Sequence, residues 1–351
     1  MRKSPSDSRR LQKSTVSGRG RLDEVTDVTM RLIMMGTGGY AVPTFEALLD
    51  SEHTVSALVT KPPPEARKKR APLNPMRQVA EARGLTILDP VSVNSPEAHE
   101  QLIALEPELF VVCDYGQILS PETLALARFG GINLHASLLP QYRGAAPINW
   151  ALYNGDTESG NTVLHMTPRI DAGPSVAQDR VAIGADETAV ELEERLAQRG
   201  APLVLEAIAA LAADRLKPIE QEPALVTRAP RLKKRDGNID WSRTATQIVN
   251  QIRAFEPWPG TFSHWHRTEK EPLRIAIARA SVAKDSTDDA TTSEAPEPGQ
   301  VLDTEGRIVV ATGGGEALLI EELQPSGKRV LSAADFLRGY PVQVGDRFGP
   351  G

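Results

Sequence analysis

From residue 31 to residue 135 short apolar runs alternate with stretches of helical periodicity, an order that few folds accommodate. RLIMMG (31–36), TVSALVT (54–60), LTIL (85–88), ELFVVC (108–113) and GGINLH (130–135) read as strands, while PTFEALLDS and the segments 75–83 and 96–105 read as helices. Strands that alternate with helices lie parallel, because each crossover helix carries the chain back to the same edge of the sheet. The expected class is therefore α/β, a mostly parallel sheet with helices on both faces. Ligands of such sheets bind beyond the carboxyl ends of the strands, which directs attention to residues just after Met35, Cys113 and Leu134.

The rest of the chain has a different texture. Residues 186–213 read as two helical pieces split near Gly200 and Pro202, followed by a polar, Pro-bearing linker. TATQIVNQIRAF then reads as a helix opened by a Thr244/Gln247 capping box, with Ala245, Ile248, Val249 and Ile252 at helical spacing. LRIAIARAS, GRIVVAT and EALLIEEL alternate as short strands, so a smaller, mainly-β domain that can close as a barrel is expected. The expected layout is a first domain over 30–214, a linker over 215–234 and a second domain over 235–348, in which 284–298 is a mobile loop without apolar pattern. The first 29 residues, rich in Ser, Arg and Lys, bury too little to order themselves and read as a tail or a mis-called extension before Met30. A transit peptide is the sharper alternative, weakened by Asp7, Asp23, Glu24 and Asp27.

Composition narrows the function classes. The chain holds one cysteine, which excludes a disulfide framework and a multi-thiolate metal site and suits the reducing cytoplasm. No apolar run reaches the roughly 18 residues that a membrane-spanning helix needs. The formal net charge of −6, from 40 basic and 46 acidic residues, means that any RNA partner must be held by local patches. Two basic runs are available for that: Arg67-Lys68-Lys69-Arg70, and Arg231 with Lys233, Lys234 and Arg235. The plainer reading of each is a solvated face.

Three features carry candidate chemistry. Gly36-Thr37-Gly38-Gly39-Tyr40-Ala41 satisfies G-x-G-x-x-A, which in a dinucleotide-binding oxidoreductase would bring backbone amides to phosphate. The second strand, however, ends Val59-Thr60-Lys61-Pro62 with no acidic residue for a ribose, and a glycine turn closing strand onto helix is the plainer reading. Period-two alternation puts Asn133 and His135 on one face at the ligand edge, where an amide can stabilise a developing oxyanion and an imidazole can relay a proton. A histidine satisfied by backbone groups at a strand end is the structural alternative. Asp171, in the Gly-bounded RIDAG loop after TVLHM, could hold a charged imidazole or simply cap a turn. His264 and His266 share one strand face without a third ligand at suitable spacing, Cys113 reads as a core thiol, and Ser137 lacks a hydrolase elbow.

INLHASLLPQYRGAAPINWAL, with NGDTESGNTVLHM and RIDAG, resembles the signature of the folate-dependent formyltransferases. VTRAPRLKKRDGNIDWS, IRAFEPWPG and GTGGYAVPTFEALL are similar to those members of the family that act on methionyl initiator tRNA, and the resemblance spans residues 30–348. It implies a Rossmann-like catalytic domain followed by an OB-like barrel that binds tRNA. It also implies a monomeric cytoplasmic enzyme of translation initiation, with 10-formyltetrahydrofolate as co-substrate and no metal. Carried over, the catalytic trio is Asn133, His135 and Asp171. The folate would lie against Val112, Tyr115, Gly116 and Gln117 and against Ser137, Leu138, Leu139 and Pro140. The tRNA would meet Arg67, Lys68, Lys69, Arg70, Arg143, Lys233 and Lys234. A small amine, an amino sugar or a glycinamide nucleotide, is the alternative acceptor. This chain departs from the pattern at Asp114, where a small residue is more frequent, at Ala172, where Thr is, and at Gly38-Gly39, which replace a Pro-containing turn.

Overall fold

A computed structural model describes residues 29–63, 74–267, 270–284 and 295–351. The first sheet and its helices run β1 (Arg31–Gly36), α1 (Val42–Leu49), β2 (Thr54–Val59), α2 (Pro75–Ala82), β3 (Ile87–Leu88), α3 (Pro96–Ile103), β4 (Leu109–Cys113), α4 (Pro121–Leu124) and β5 (Gly131–His135). After a two-residue strand, β6 (Arg143–Gly144), the chain continues through α5 (Pro147–Asn154), β7 (Glu158–His165), β8 (Ser175–Ala182) and α6 (Ala189–Ala212). The strand order is β3-β2-β1-β4-β5-β7-β8, parallel through β5 and antiparallel for β7 and β8. Strand β4 is buried along its whole length, as its unbroken apolar run requires for a sheet covered on both faces. Three helix starts share one device: Asn74, Ser95 and Ser120 cap the amides of Arg77, Ala98 and Thr123, and each is followed by proline in the first turn, where no backbone donor is needed.

Residues 189–212 form one helix, not two pieces. Thr188 and Glu191 close a capping box at its start. Pro202 lies on the exposed face, where the carbonyl of Gln198, deprived of its donor, meets water. Gly200 faces inward, and a Cβ there would come within 2.5 Å of Leu134 Cδ2. The glycine marks a close approach of helix to sheet rather than an end.

A short strand, β9 (Arg228–Ala229), pairs with β6 and ties the segment after α6 back to the first domain. The second unit follows: α7 (Ala245–Ala254), β10 (Thr261–Arg267), β11 (Lys270–Val282), β12 (Val301–Asp303), β13 (Ile308–Ala311), β14 (Ala317–Pro325), β15 (Leu331–Ser332), α8 (Ala333–Gly339) and β16 (Arg347–Gly349). Its antiparallel sheet runs β12-β13-β14-β11-β10-β16. Hydrogen bonds from Phe348 N–H to the Gly299 carbonyl and from Val301 N–H to the Asp346 carbonyl join the two ends, so the sheet curls into a nearly closed barrel. Trp265, Ile275, Ile308, Ile320, Leu323 and Phe348 fill it, and Ile248 and Ile252 of α7 pack against them. The Thr244/Gln247 capping box forms as the sequence implies. The two units meet along α5 and α7, where Tyr153 stacks on Phe255 and the Asn149 amide donates to the Ala254 carbonyl at 2.7 Å.

Candidate active site

Asn133 pairs with Val112 across β4 and β5, and His135 ends β5 two residues on, so both side chains point to the same side of the sheet's carboxyl edge. His135 is buried, and its Nε2 lies 2.9 Å from the Tyr142 carbonyl. A carbonyl only accepts, so Nε2 carries the proton and Nδ1 is left to face Asp171 Oδ2 at 3.7 Å. The Asn133 amide donates to Asp171 Oδ1 at 3.4 Å, and the Gly144 N–H donates to Asp171 Oδ2 at 2.9 Å. The structure thus brings together three residues separated by up to 38 positions in sequence.

Asp171 is held from behind by a residue that sequence reasoning missed. Gln221 Nε2 donates to the Asp171 and Gly173 carbonyls at 2.9 and 2.7 Å, while its Oε1 accepts from Arg143. Gln221 lies in the polar stretch after α6, where nothing in its neighbours signals a role. Asp171 itself has φ +48°, a left-handed conformation that aspartate tolerates better than most residues. Arg143 is drawn below its ordinary pKa, by burial first and then by the charges of Arg228 and Arg169, with Asp171 opposing.

These groups open on a cavity of about 730 Å³. Val112, Tyr115, Gly116 and Gln117 line it, with Leu119, Met166 and Ile170 adding apolar surface. Ser137, Leu138, Leu139 and Pro140 do not line it. Their polar groups are consumed in shaping the chain behind β5: Ser137 Oγ donates to the Gln141 carbonyl, Thr162 Oγ1 donates to the Ser137 carbonyl, and Gln178 donates to the Leu139 carbonyl. Arg143 points to Gln221 rather than into the cavity, whereas Arg231, Arg169 and Lys61 stand on its wall. Lys233 and Lys234 are exposed beyond Arg231, and Arg67, Lys68, Lys69 and Arg70 lie outside the described residues.

The glycine turn after β1 is shaped by the departure at position 114. Asp114 Oδ2 lies 1.7 Å from where a Cβ on Gly38 would stand, so Gly38 makes room for the carboxylate. Burial raises the Asp114 carboxyl above its ordinary value, with Lys61 opposing, and Glu193 across the cavity is raised by burial and by the Asp114 charge. A carboxylate packed against that turn repels a dinucleotide phosphate, and the Thr37 N–H is already spent on the Asp114 carbonyl. Cys113 is fully buried, which pushes its thiol well above the usual range. Among the described residues no cluster of His, Cys, Asp or Glu suits a metal ion; His266 bonds the Pro350 carbonyl instead.

Residues 30–208 match the formyl transferase family and residues 231–341 match the formyl transferase C-terminal domain. The chain belongs to the formyl transferase family. Similar curated relatives are methionyl-tRNA formyltransferases: that of Rhodopirellula baltica is 43% identical over 331 residues, covering 91% of this chain and 96% of that protein. That of Methylococcus capsulatus is 41% identical, covering 91% of this chain and 100% of that protein. Among solved structures, the fold is that of the sugar 3N-formyl transferase WlaRD with dTDP and 5-N-formyl-THF, at TM-score 0.59 and 16% identity over 86% of this chain and 100% of that one. An N-formyltransferase from Helicobacter canadensis in complex with folinic acid and dTDP-3-aminofucose superposes at TM-score 0.61 and 17% identity, over 85% of this chain and 100% of that one.

Proposed function

We propose that this protein transfers the formyl group of 10-formyltetrahydrofolate to the α-amino group of methionyl initiator tRNA, as a cytoplasmic monomer that supports translation initiation. The observation that carries the mechanism is the convergence of Asn133, His135 and Asp171 on one cavity wall. The amine attacks the formyl carbon, the carbonyl pair moves to oxygen, and the tetrahedral adduct collapses as the bond to N10 of the folate breaks. Asn133 has a second amide N–H beyond the long bond to Asp171, and that donor meets the developing oxyanion. His135 contributes through Nδ1, because Nε2 is committed to the Tyr142 carbonyl. As the amine sheds its proton, Nδ1 accepts it beside the Asp171 carboxylate, and the same position returns a proton towards N10. The apolar wall of Val112, Leu119 and Met166 suits the flat ring system of the donor.

The test is a comparison of Asn133→Ala with wild type in transfer from the folate donor to methionyl-tRNA. Loss of one oxyanion donor is expected to lower kcat by about 10²- to 10³-fold with both KM values within a few-fold. An Asn133→Ala protein with wild-type kcat would remove the oxyanion role.

A further inference from the structure

Trp258 is half exposed, at 53%, and is the only aromatic among the large apolar side chains that the described residues leave in solvent. It sits in the turn EPWPG between α7 and β10. No described ring packs on it, whereas Trp150, Tyr153 and Phe255 nearby are stacked on one another. An indole left bare on a monomer surface costs solvation and calls for a partner with a flat apolar face.

Two chains of contacts place this turn beside the route into the active site. Asn149 lines the cavity and donates its amide to the carbonyl of Ala254, the last residue of α7. From Ala254 to Trp258 is four residues, at most about 15 Å of chain. Arg231 also lines the cavity, and the run from it leads through exposed Lys233 and Lys234 to Arg235. That run ends at Gly237, which has no Cβ because Gly260 and Pro259 of the tryptophan turn press against it: a Cβ there would lie 2.0 Å from the Gly260 carbonyl oxygen and 3.5 Å from Pro259 Cγ. The basic run and the indole are therefore parts of one surface that begins at the cavity wall. Lys233 and Lys234 are exposed and form no ion pair among the described residues, whereas the exposed Arg235 has its Nε 3.9 Å from Asp236 Oδ1.

We infer that Trp258 is a stacking platform for an unpaired base in the single-stranded 3′ end of the acceptor RNA, whose phosphates run along Lys233, Lys234 and Arg235 towards Arg231. An RNA end that delivers its aminoacyl group to Asn133 and His135 has to thread this border as single strand, with bases splayed and phosphates exposed. Alternation of cationic side chains with an accessible aromatic face is the chemistry that holds such a strand without reading its sequence. The inference rests on the acceptor being a methionyl-tRNA, and it adds to that reading a non-ionic contact outside the catalytic trio.

The experiment compares wild type, Trp258→Ala, Trp258→Phe and the double change Lys233→Ala/Lys234→Ala. Steady-state formylation of methionyl-tRNA is followed at several salt concentrations, with the folate KM as internal control. Base stacking is worth about 1–3 kcal/mol, so Trp258→Ala is expected to raise the KM for methionyl-tRNA by about 5- to 150-fold. The folate KM and kcat stay within twofold, and Trp258→Phe recovers most of the loss. Because stacking releases no counterions, the Trp258→Ala loss is the same factor at every salt concentration, whereas the double lysine change flattens the salt dependence. Trp258→Ala with an unchanged tRNA KM, Trp258→Phe as impaired as Ala, or a loss shared with the folate KM would each overturn the inference. If wild type fails to formylate methionyl-tRNA at all, the function falls first, so the two failures are distinct.

Discussion

Asp171 serves the site through all three of its oxygens. One carboxylate oxygen takes the Gly144 amide and faces His135 Nδ1, the other receives the Asn133 amide, and its carbonyl is gripped by Gln221. Such a residue orients two neighbours, while the Tyr142 carbonyl sets the tautomer of His135. Asp114 has the opposite character. It opens on the cavity, makes no hydrogen bond through its carboxylate among the described residues, and is raised by burial with only Lys61 to compensate. A carboxyl whose folded value exceeds its unfolded one binds its proton more tightly in the native state, so its ionisation costs stability as pH rises through that value. Asp114→Asn, close in shape and uncharged, is therefore expected to be more stable than wild type at pH 7. The gain fades as pH falls below the ordinary carboxylate range, where both side chains are neutral. Denaturation at pH 7 and pH 4 checks this, and a gain that is absent at pH 7 or larger at pH 4 contradicts it.

At the scale of elements, the seat of β5 is a contact between one glycine and one leucine. Gly200 lets α6 press on Leu134, the residue between Asn133 and His135. Gly200→Ala has to push a buried leucine off its seat, an overpacking worth about 1–3 kcal/mol. Its expected effect is that loss in chemical denaturation together with a lowered kcat, since Leu134 carries the flanking Asn133 and His135, the proposed catalytic pair, with it. A Gly200→Ala protein of unchanged stability and rate would show that helix and strand have slack. The same glycine explains where the sequence misleads. Gly200 and Pro202 two residues apart are the usual signature of a helix end, yet one answers to packing and the other to solvent, and only the tertiary neighbours distinguish these cases. The strands and the Thr244 cap were legible because local periodicity and spacing determine them. Of the site, Asn133 and His135 were legible from alternation on one strand. The approach of Asp171, the grip of Gln221 and the withdrawal of Ser137–Pro140 from the cavity depend on hydrogen bonds between segments distant in sequence.

Over the whole molecule, a net charge of −6 is compatible with the proposed RNA acceptor because only the border of one cavity needs to be basic. Arg169, Arg231 and Lys61 stand on that border, and the exposed Lys233 to Arg235 run extends it along the junction of the two units. The barrel is joined to the first sheet through α5 and α7, with Arg253 donating across the junction to the carbonyls of Gly184 and Glu187, so the exposed basic run and the cavity are built into one frame. The most direct measurement is the mass of the amino acid released from methionyl-tRNA after incubation with 10-formyltetrahydrofolate and the purified protein. Wild type is expected to yield methionine carrying one formyl group, and His135→Ala to yield unmodified methionine. Unmodified methionine from wild type as well, under conditions where the folate donor is intact, would contradict formyl transfer to methionyl-tRNA.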